Sequence, residues 1–430
     1  MTYIAVVGSG SVFSSELVVE LSKITDQLGE LTLRFFDIDQ ERQDIVSGLC
    51  RRLLKDKKDV TIVDCKTLEE CLPDASFVLL QIRHGGIDAR IEDEKLGKKY
   101  KLPFTETISI CGISTFIRTY YEYEKIGPAI LKHAPDALVL NFTNPSAQLT
   151  ETLYGMGIKN VMGVCNGFMS MKDVIKHTLN DKDSEYFMNW RGLNHLTVVD
   201  GIFAMPGNNF SECKFYPENN KIDEVLANLP DWYSEFEHNM LQNFGALLNG
   251  YFQYYFNRRN IIDKLQKQDK VRSEIVKEID EALLEEFKTA ETVPPSISKR
   301  GGYGYATAVV NIIEAYCSDE ATVHYASVRN GKCLPSLPAS AFVEVPVLVS
   351  RDNISPIQTG DMPDFARSLA IAIKDYERML IKAAKKRDKA GMLRAMMTHP
   401  LLNCYSVAKP LLDDCLEINR AFLPMELTKQ

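Results

Sequence analysis

A cysteine and a histidine open the chemical reading of this sequence. Cys165 follows a short apolar run in Gly163-Val164-Cys165-Asn166, and His195 sits in Arg191-Gly192-Leu193-Asn194-His195-Leu196. A thiolate with a neutral imidazole suits a divalent metal that keeps open positions for substrate, which is the pattern of a catalytic site. The same residues also read as a buried small hydrophobe and a satisfied core histidine, because thirty positions separate them and no short metal-binding spacing is present. From these two residue types alone, both readings stand.

The elements that would position them begin at the N-terminus. Residues 3–7 read as a buried strand, Gly8-Ser9-Gly10-Ser11 as a turn, and 14–24 as a helix. Strand, glycine turn and helix N-terminus form a phosphate cradle, in which Gly8, Gly10 and Ser11 offer backbone amides and the helix dipole favours an anion. The third glycine of the usual fingerprint is absent, with Phe13 near its place. A second strand, 31–36, ends in Asp37-Ile38-Asp39; Asp37 is placed to accept hydrogen bonds from a ribose diol, which favours NAD, or else to cap the next helix. Strands at 61–63 and 77–81 with a helix at 68–72 between them continue the alternation of a doubly wound sheet.

Ligands bind beyond the carboxyl ends of parallel strands, and Arg83 lies just past the strand 77–81. Its planar fork can clamp a phosphate or carboxylate of cofactor or substrate, or pair with Asp88 or Glu92. Asn144, in Thr143-Asn144-Pro145 after the strand 137–142, can meet sugar hydroxyls or hold the turn. A further strand, 161–164, delivers Cys165 and Asn166. Beyond Gly201 the texture changes: 206–230 lacks clear periodicity and helical patterns run from 232 to 287. The aromatic run 250–256, with Tyr251 and Tyr254, reads as a core stripe on one of those helices. Helices at 305–316 and 365–388 follow, the second as a surface or interface element. The expected architecture is α/β, a Rossmann-like doubly wound sheet over 1–165 that binds NAD. A C-terminal α+β lobe over 166–430 would bind substrate and metal and carry the oligomer contacts.

Composition excludes several classes. The 430 residues carry 50 Lys+Arg against 58 Asp+Glu, a net charge of −8, which removes the electrostatic case for a nucleic-acid binder. Hydrophobic residues at 45% and charged residues at 25% describe a folded globular chain. No run of about 18 apolar residues and no basic leader are present, so neither a membrane partner nor a signal peptide is expected, and a cytoplasmic protein is. Ten scattered cysteines fit reduced thiols.

The ordered set Gly8-Ser9-Gly10-Ser11, Asp37-Ile38-Asp39, Gln81-Ile82-Arg83 with Gly85-Gly86, Phe142-Thr143-Asn144-Pro145, Cys165-Asn166, Gly192-Leu193-Asn194-His195 and Arg300-Gly301-Gly302 resembles glycoside hydrolase family 4 across nearly the whole chain. The resemblance implies a bound NAD and a divalent metal, usually manganese, held by Cys165 and His195. It also implies a homodimer or homotetramer and a mechanism outside the two-carboxylate scheme of most glycosidases. Transient oxidation at sugar C3 by NAD acidifies the C2 proton, a base removes it, the C1 substituent is eliminated, water adds, and the hydride returns. The family's basic tyrosine falls on Tyr251, with Tyr254 in reserve. Arg83 resembles the arginine that holds a 6-phosphate, with Arg300 near the same pocket, and Asn166 resembles members that cleave 6-phospho-β-glucosides.

Departures from the family pattern at His84, at Gly167-Phe168 and at 108–112 are expected at the substrate rim. They would suit the same mechanism on a non-phosphorylated acidic glycoside such as a uronide. A lactate- or malate-type NAD dehydrogenase is the more distant alternative.

Overall fold

The computed structural model describes residues 2–233, 236, 238–302 and 304–428. Tyr303, next to the Arg300-Gly301-Gly302 motif, lies outside the described residues, as do Ser234, Glu235 and Glu237 within the stretch 232–287.

Twelve strands form one sheet: β1 (Thr2–Val7), β2 (Leu31–Phe36), β3 (Val60–Asp64), β4 (Phe77–Leu80), β5 (Leu138–Asn141), β6 (Val161–Gly163), β7 (Glu185–Leu193), β8 (Leu196–Met205), β9 (Leu247–Leu248), β10 (Thr322–Arg329), β11 (Phe342–Ser350) and β12 (Asn353–Pro356). The first six pair in parallel in the order β3-β2-β1-β4-β5-β6, the doubly wound arrangement that alternating apolar runs and helices imply. Ile4, Ala5 and Val6 are fully buried because helices cover both faces of β1. The chain reverses direction across the sheet between β1 and β4, so the carboxyl ends of these strands open a crevice there.

From β6 outward the sheet turns antiparallel. Ser327 of β10 pairs with Gly163, β11 follows, and Gly192 of β7 pairs with Glu344 of β11. Strands β7 and β8 form a hairpin whose last pair, Leu193 with Leu196, leaves Asn194 and His195 as a two-residue turn. His195 adopts φ 64°, a left-handed conformation that few non-glycine residues take and that points to a constrained site.

The region 232–287 is more broken than its sequence suggests. Short helices His238–Phe244, Gln253–Phe256 and Arg258–Gln266 and the two-residue β9 precede the helix Arg272–Phe287, and Tyr251 lies in the 3-10 turn Gly250–Phe252. Pairing of β9 with β8 is the cause: Leu247 and Leu248 join the sheet beside Val199 and Val198, which no helix could do. Within 206–230 three 3-10 turns precede one helix, Ile222–Ala227.

One buried ion pair ties the crevice together. Arg118 donates Nη2 to Asp93 Oδ2 at 2.6 Å and Nη1 to Oδ1 at 2.9 Å, and its Nε holds the His84 carbonyl at 2.8 Å. The loop that carries Arg83 is thereby fixed to the helix Ser109–His133. Among the described residues no helix is long and apolar enough to cross a membrane.

Candidate active site

One cavity of about 850 Å³ lies at the carboxyl ends of the parallel strands, and its walls include Gly8, Gly10, Ser11, Asp37, Arg83, Asn144, Cys165, Asn166, His195, Tyr251 and Arg300. Every site residue expected from the sequence except Tyr254 borders it. Tyr254 stands behind Tyr251, ring centroids 5.7 Å apart.

The nucleotide end is built as the glycine turn implies. Gly8 has φ 94°, and a side chain there would meet the Gln81 backbone at 2.8 Å. Gly10 donates its amide to Asp37 Oδ2 at 2.9 Å. Asp39, not Asp37, caps the following helix by accepting from Arg42 N at 3.0 Å, so Asp37 is left to the cavity. Burial raises the Asp37 carboxyl, against the amides of Asp39 and Gly10. Phe13, near the place of the missing third glycine, fills the space over Gly302, where a Cβ would come within 2.6 Å of its ring, and lies tilted against Tyr305 with ring centroids 5.4 Å apart.

At the other end Cys165 Sγ lies 3.6 Å from His195 Nε2. Two ligands at ~2.3 Å and ~2.1 Å from one metal, at a tetrahedral angle, would stand ~3.6 Å apart. The other imidazole nitrogen, Nδ1, is 2.6 Å from Thr107 Oγ1, the kind of outer contact that fixes a ligating histidine's tautomer. Burial lowers His195 to about 4, so it is neutral and able to ligate at pH 7. Burial, then Glu344, raises the Cys165 thiol to about 12; a metal would have to displace that proton. Among the described residues no three His, Cys, Asp or Glu side chains gather as a metal cage. The separation of Cys165 Sγ and His195 Nε2 is what would fit this pair to one divalent metal.

Tyr251 stacks on the His195 ring at 4.0 Å. It is held there by Asn249, whose amide donates to Thr197 O at 3.0 Å and whose Oδ1 accepts from Tyr251 N at 3.1 Å. Glu344 accepts from Trp190 Nε1 at 3.0 Å and from Asn194 Nδ2 at 2.8 Å, which braces the turn bearing His195; burial raises its carboxyl to about 7.

Arg83 pairs with Glu106, not with Asp88 or Glu92, and Arg90 Nη1 reaches the second oxygen of the same carboxylate at 3.5 Å. Burial opposes the charge on Glu106, but Arg83 and Arg90 outweigh it and hold the carboxyl well below its usual range. Arg300 donates to Asp280 Oδ1 at 2.5 Å, and Asp280 also meets Arg42 Nη2 at 3.3 Å. Glu106, Thr107 and Arg90 were not singled out from the sequence. The one available signal was the polar loop 104–107 before an apolar helix.

The rim expectations divide. His84 does border the cavity, but Phe168 is 8% exposed and packs 5.3 Å from Tyr325, so it is core. Residues 108–112 are buried at the start of the helix Ser109–His133, where Gly112 approaches the Thr107 carbonyl too closely for a side chain.

A Rossmann-type sheet with a glycine turn at the head of its crevice is the fold of the dinucleotide-binding class. Residues 3–181 match the family 4 glycosyl hydrolase model and residues 190–402 the C-terminal domain model of the same family. The chain belongs to glycosyl hydrolase family 4. It is 32% identical to the 6-phospho-beta-glucosidase BglT of Thermotoga maritima, over 98% of this chain and 99% of that one, and 30% identical to a probable 6-phospho-beta-glucosidase of Bacillus subtilis, over 99% and 98%. A solved structure of the Thermotoga maritima 6-phospho-beta glucosidase with NAD and glucose-6-phosphate superposes with a TM-score of 0.90 at 30% identity, covering 98% of this chain and 99% of that one.

Proposed function

We propose that this chain hydrolyses 6-phospho-β-glucosides. The observation that carries the reading is the convergence in one cavity of the glycine turn, the Cys165–His195 pair and the Arg83–Arg90 pair. NAD, when bound, takes a hydride from sugar C3 and later returns it, and a divalent metal such as manganese polarises the sugar oxygens beside it.

Gly8, Gly10 and Ser11 hold the pyrophosphate and Asp37 the adenosine ribose. Cys165 and His195 hold the metal, and Thr107 keeps the imidazole's Nε2 lone pair free for it. Arg83 and Arg90, with Arg300 nearby, take the 6-phosphate, while Asn144 and Asn166 bind hydroxyls. Tyr251 is placed to take the C2 proton once C3 is oxidised; the C1 substituent would leave as the protonated alcohol, water would add its hydroxyl at C1 and a proton at C2, and return of the hydride to C3 would close a net hydrolysis. Burial, with Glu106 next, holds Tyr251 well above the ordinary phenol range, so it becomes a base only beside positive charge. Its stacking on a metal-ligating imidazole supplies that position.

Residues 1–165 serve the nucleotide and also lend Arg83, Arg90, Asn144 and Cys165 to the sugar and metal positions, which 166–430 complete together with the assembly contacts. A cytoplasmic homodimer or homotetramer completes the reading, and light scattering gives its size. The test of substrate is hydrolysis of p-nitrophenyl β-glucosides with and without a 6-phosphate, each with NAD and manganese present. Cleavage of the phosphorylated member alone supports the proposal; cleavage of the unphosphorylated one at equal or higher rate, or of neither, overturns it.

A further inference from the structure

The helix Ser109–His133 turns Thr115, Thr119, Glu122 and Ile126 to the cavity, at steps of four, three and four residues that put them on one face. A polar stripe is unexpected on a helix that is otherwise core. Thr119 is 0% exposed and its hydroxyl has no partner among the described residues. Closed off in this way it cannot reach a ligand, and the polar group of this face that stays open is Glu122. One turn on, Glu122 is 15% exposed in its side chain, and Lys125 at 2.7 Å and His84 at 3.8 Å both meet its Oε2. Among the described residues Oε1 is left to the cavity.

The position along the helix says which ligand. Thr107, two residues before the helix, touches His195, so the N-terminal end adjoins the metal position. From Ser109 to Glu122 the helix rises about 20 Å. A dinucleotide whose hydride-carrying ring lies near Cys165 and His195 must place its other base at the far end, beyond the ribose at Asp37. Ile38 and Ile126 border the same cavity and offer apolar cover for a flat ring.

We propose that Glu122 reads the adenine of NAD: the carboxylate accepts a hydrogen bond from the exocyclic 6-amino group. The inference rests on NAD as the cofactor and is independent of which sugar is cleaved. Glu122 has acceptors only, so a 6-oxo group in place of the amino group faces it with no donor.

The test is binding, measured by calorimetry on the metal-free protein, of NAD and of its hypoxanthine analogue, in which that amino group is replaced by oxygen. The wild type binds NAD about tenfold more tightly or better, the worth of one hydrogen bond to a charged group. Glu122→Ala weakens NAD by a similar factor and brings the two ligands level. Equal affinity of the wild type for the two ligands would overturn the proposal, and so would a preference that survives in Glu122→Ala. The wild-type ratio stands even where a variant fails to fold. NAD affinity itself reports on the cofactor reading separately.

Discussion

His195 and Tyr251 lie face to face, ring centroids 4.0 Å apart and planes 12° from parallel. The imidazole turns Nε2 toward Cys165, so the phenol stands beside whatever the pair binds. Tyr251→Phe keeps the stack and removes only the ionisable oxygen. Turnover should fall by about 10²- to 10⁴-fold, the usual worth of a positioned base, with NAD and manganese affinities unchanged. Tyr254→Phe, outside the cavity wall, should change turnover by less than about threefold, well below the worth of a base.

The Thr107 hydroxyl is 2.6 Å from His195 Nδ1. Thr107→Val preserves shape but deletes the contact that orients the ring. Manganese affinity, followed by titration of the chelator-stripped protein, should weaken by about 10- to 100-fold, and NAD affinity should not move.

Arg83 and Arg90 share one carboxylate, Glu106, inside the cavity. Arg83→Ala should raise KM for a 6-phosphorylated glucoside by about 10- to 100-fold, the loss of charge-assisted bonds worth roughly 1.5–3 kcal/mol. The diagnostic is a smaller effect on kcat. A change confined to kcat would assign Arg83 to the chemistry and not to the phosphate.

The sequence shows the nucleotide half well because its signals are local. β1 is a continuous apolar run, the glycine turn follows at once, and Asp37 closes the next strand. The Cys165–His195 pair is legible as two residue types, but what joins them is a hairpin turn held by strand pairing, with β9 packed alongside to bring Tyr251 in. No local period marks a two-residue strand, so the aromatic run at 250–256 reads as part of a long helix, whereas it forms a 3-10 turn, Gly250–Phe252, and one helical turn, Gln253–Phe256. Arg90 and Glu106 escape notice for a related reason: their meaning is a contact between a helix and a loop. Phe168 follows Cys-Asn where a rim residue is expected, yet the helix Gly167–Thr178 turns it into the core against Tyr325.

His399 is 1% exposed and accepts the Leu401 amide at 3.1 Å through Nδ1. Burial lowers it to about 3, whereas an unfolded histidine titrates near ~6.5. Below about pH 6.5 the unfolded chain binds a proton that the native state refuses. The stability this residue contributes is therefore full above that pH and is lost as pH falls toward 3. Between pH 6 and 4, urea denaturation of His399→Gln should show a pH dependence shallower by up to about 1.4 kcal/mol per unit than wild type.

Hydrolysis of a 6-phospho-β-glucoside in D2O, with the released sugar analysed at C2 by NMR, tests the central claim most directly. Removal of the C2 proton before the glycosidic bond breaks predicts deuterium at C2 of the product, dependent on both NAD and manganese. A product that keeps its C2 proton throughout would contradict the account, because direct displacement at C1 never breaks that bond.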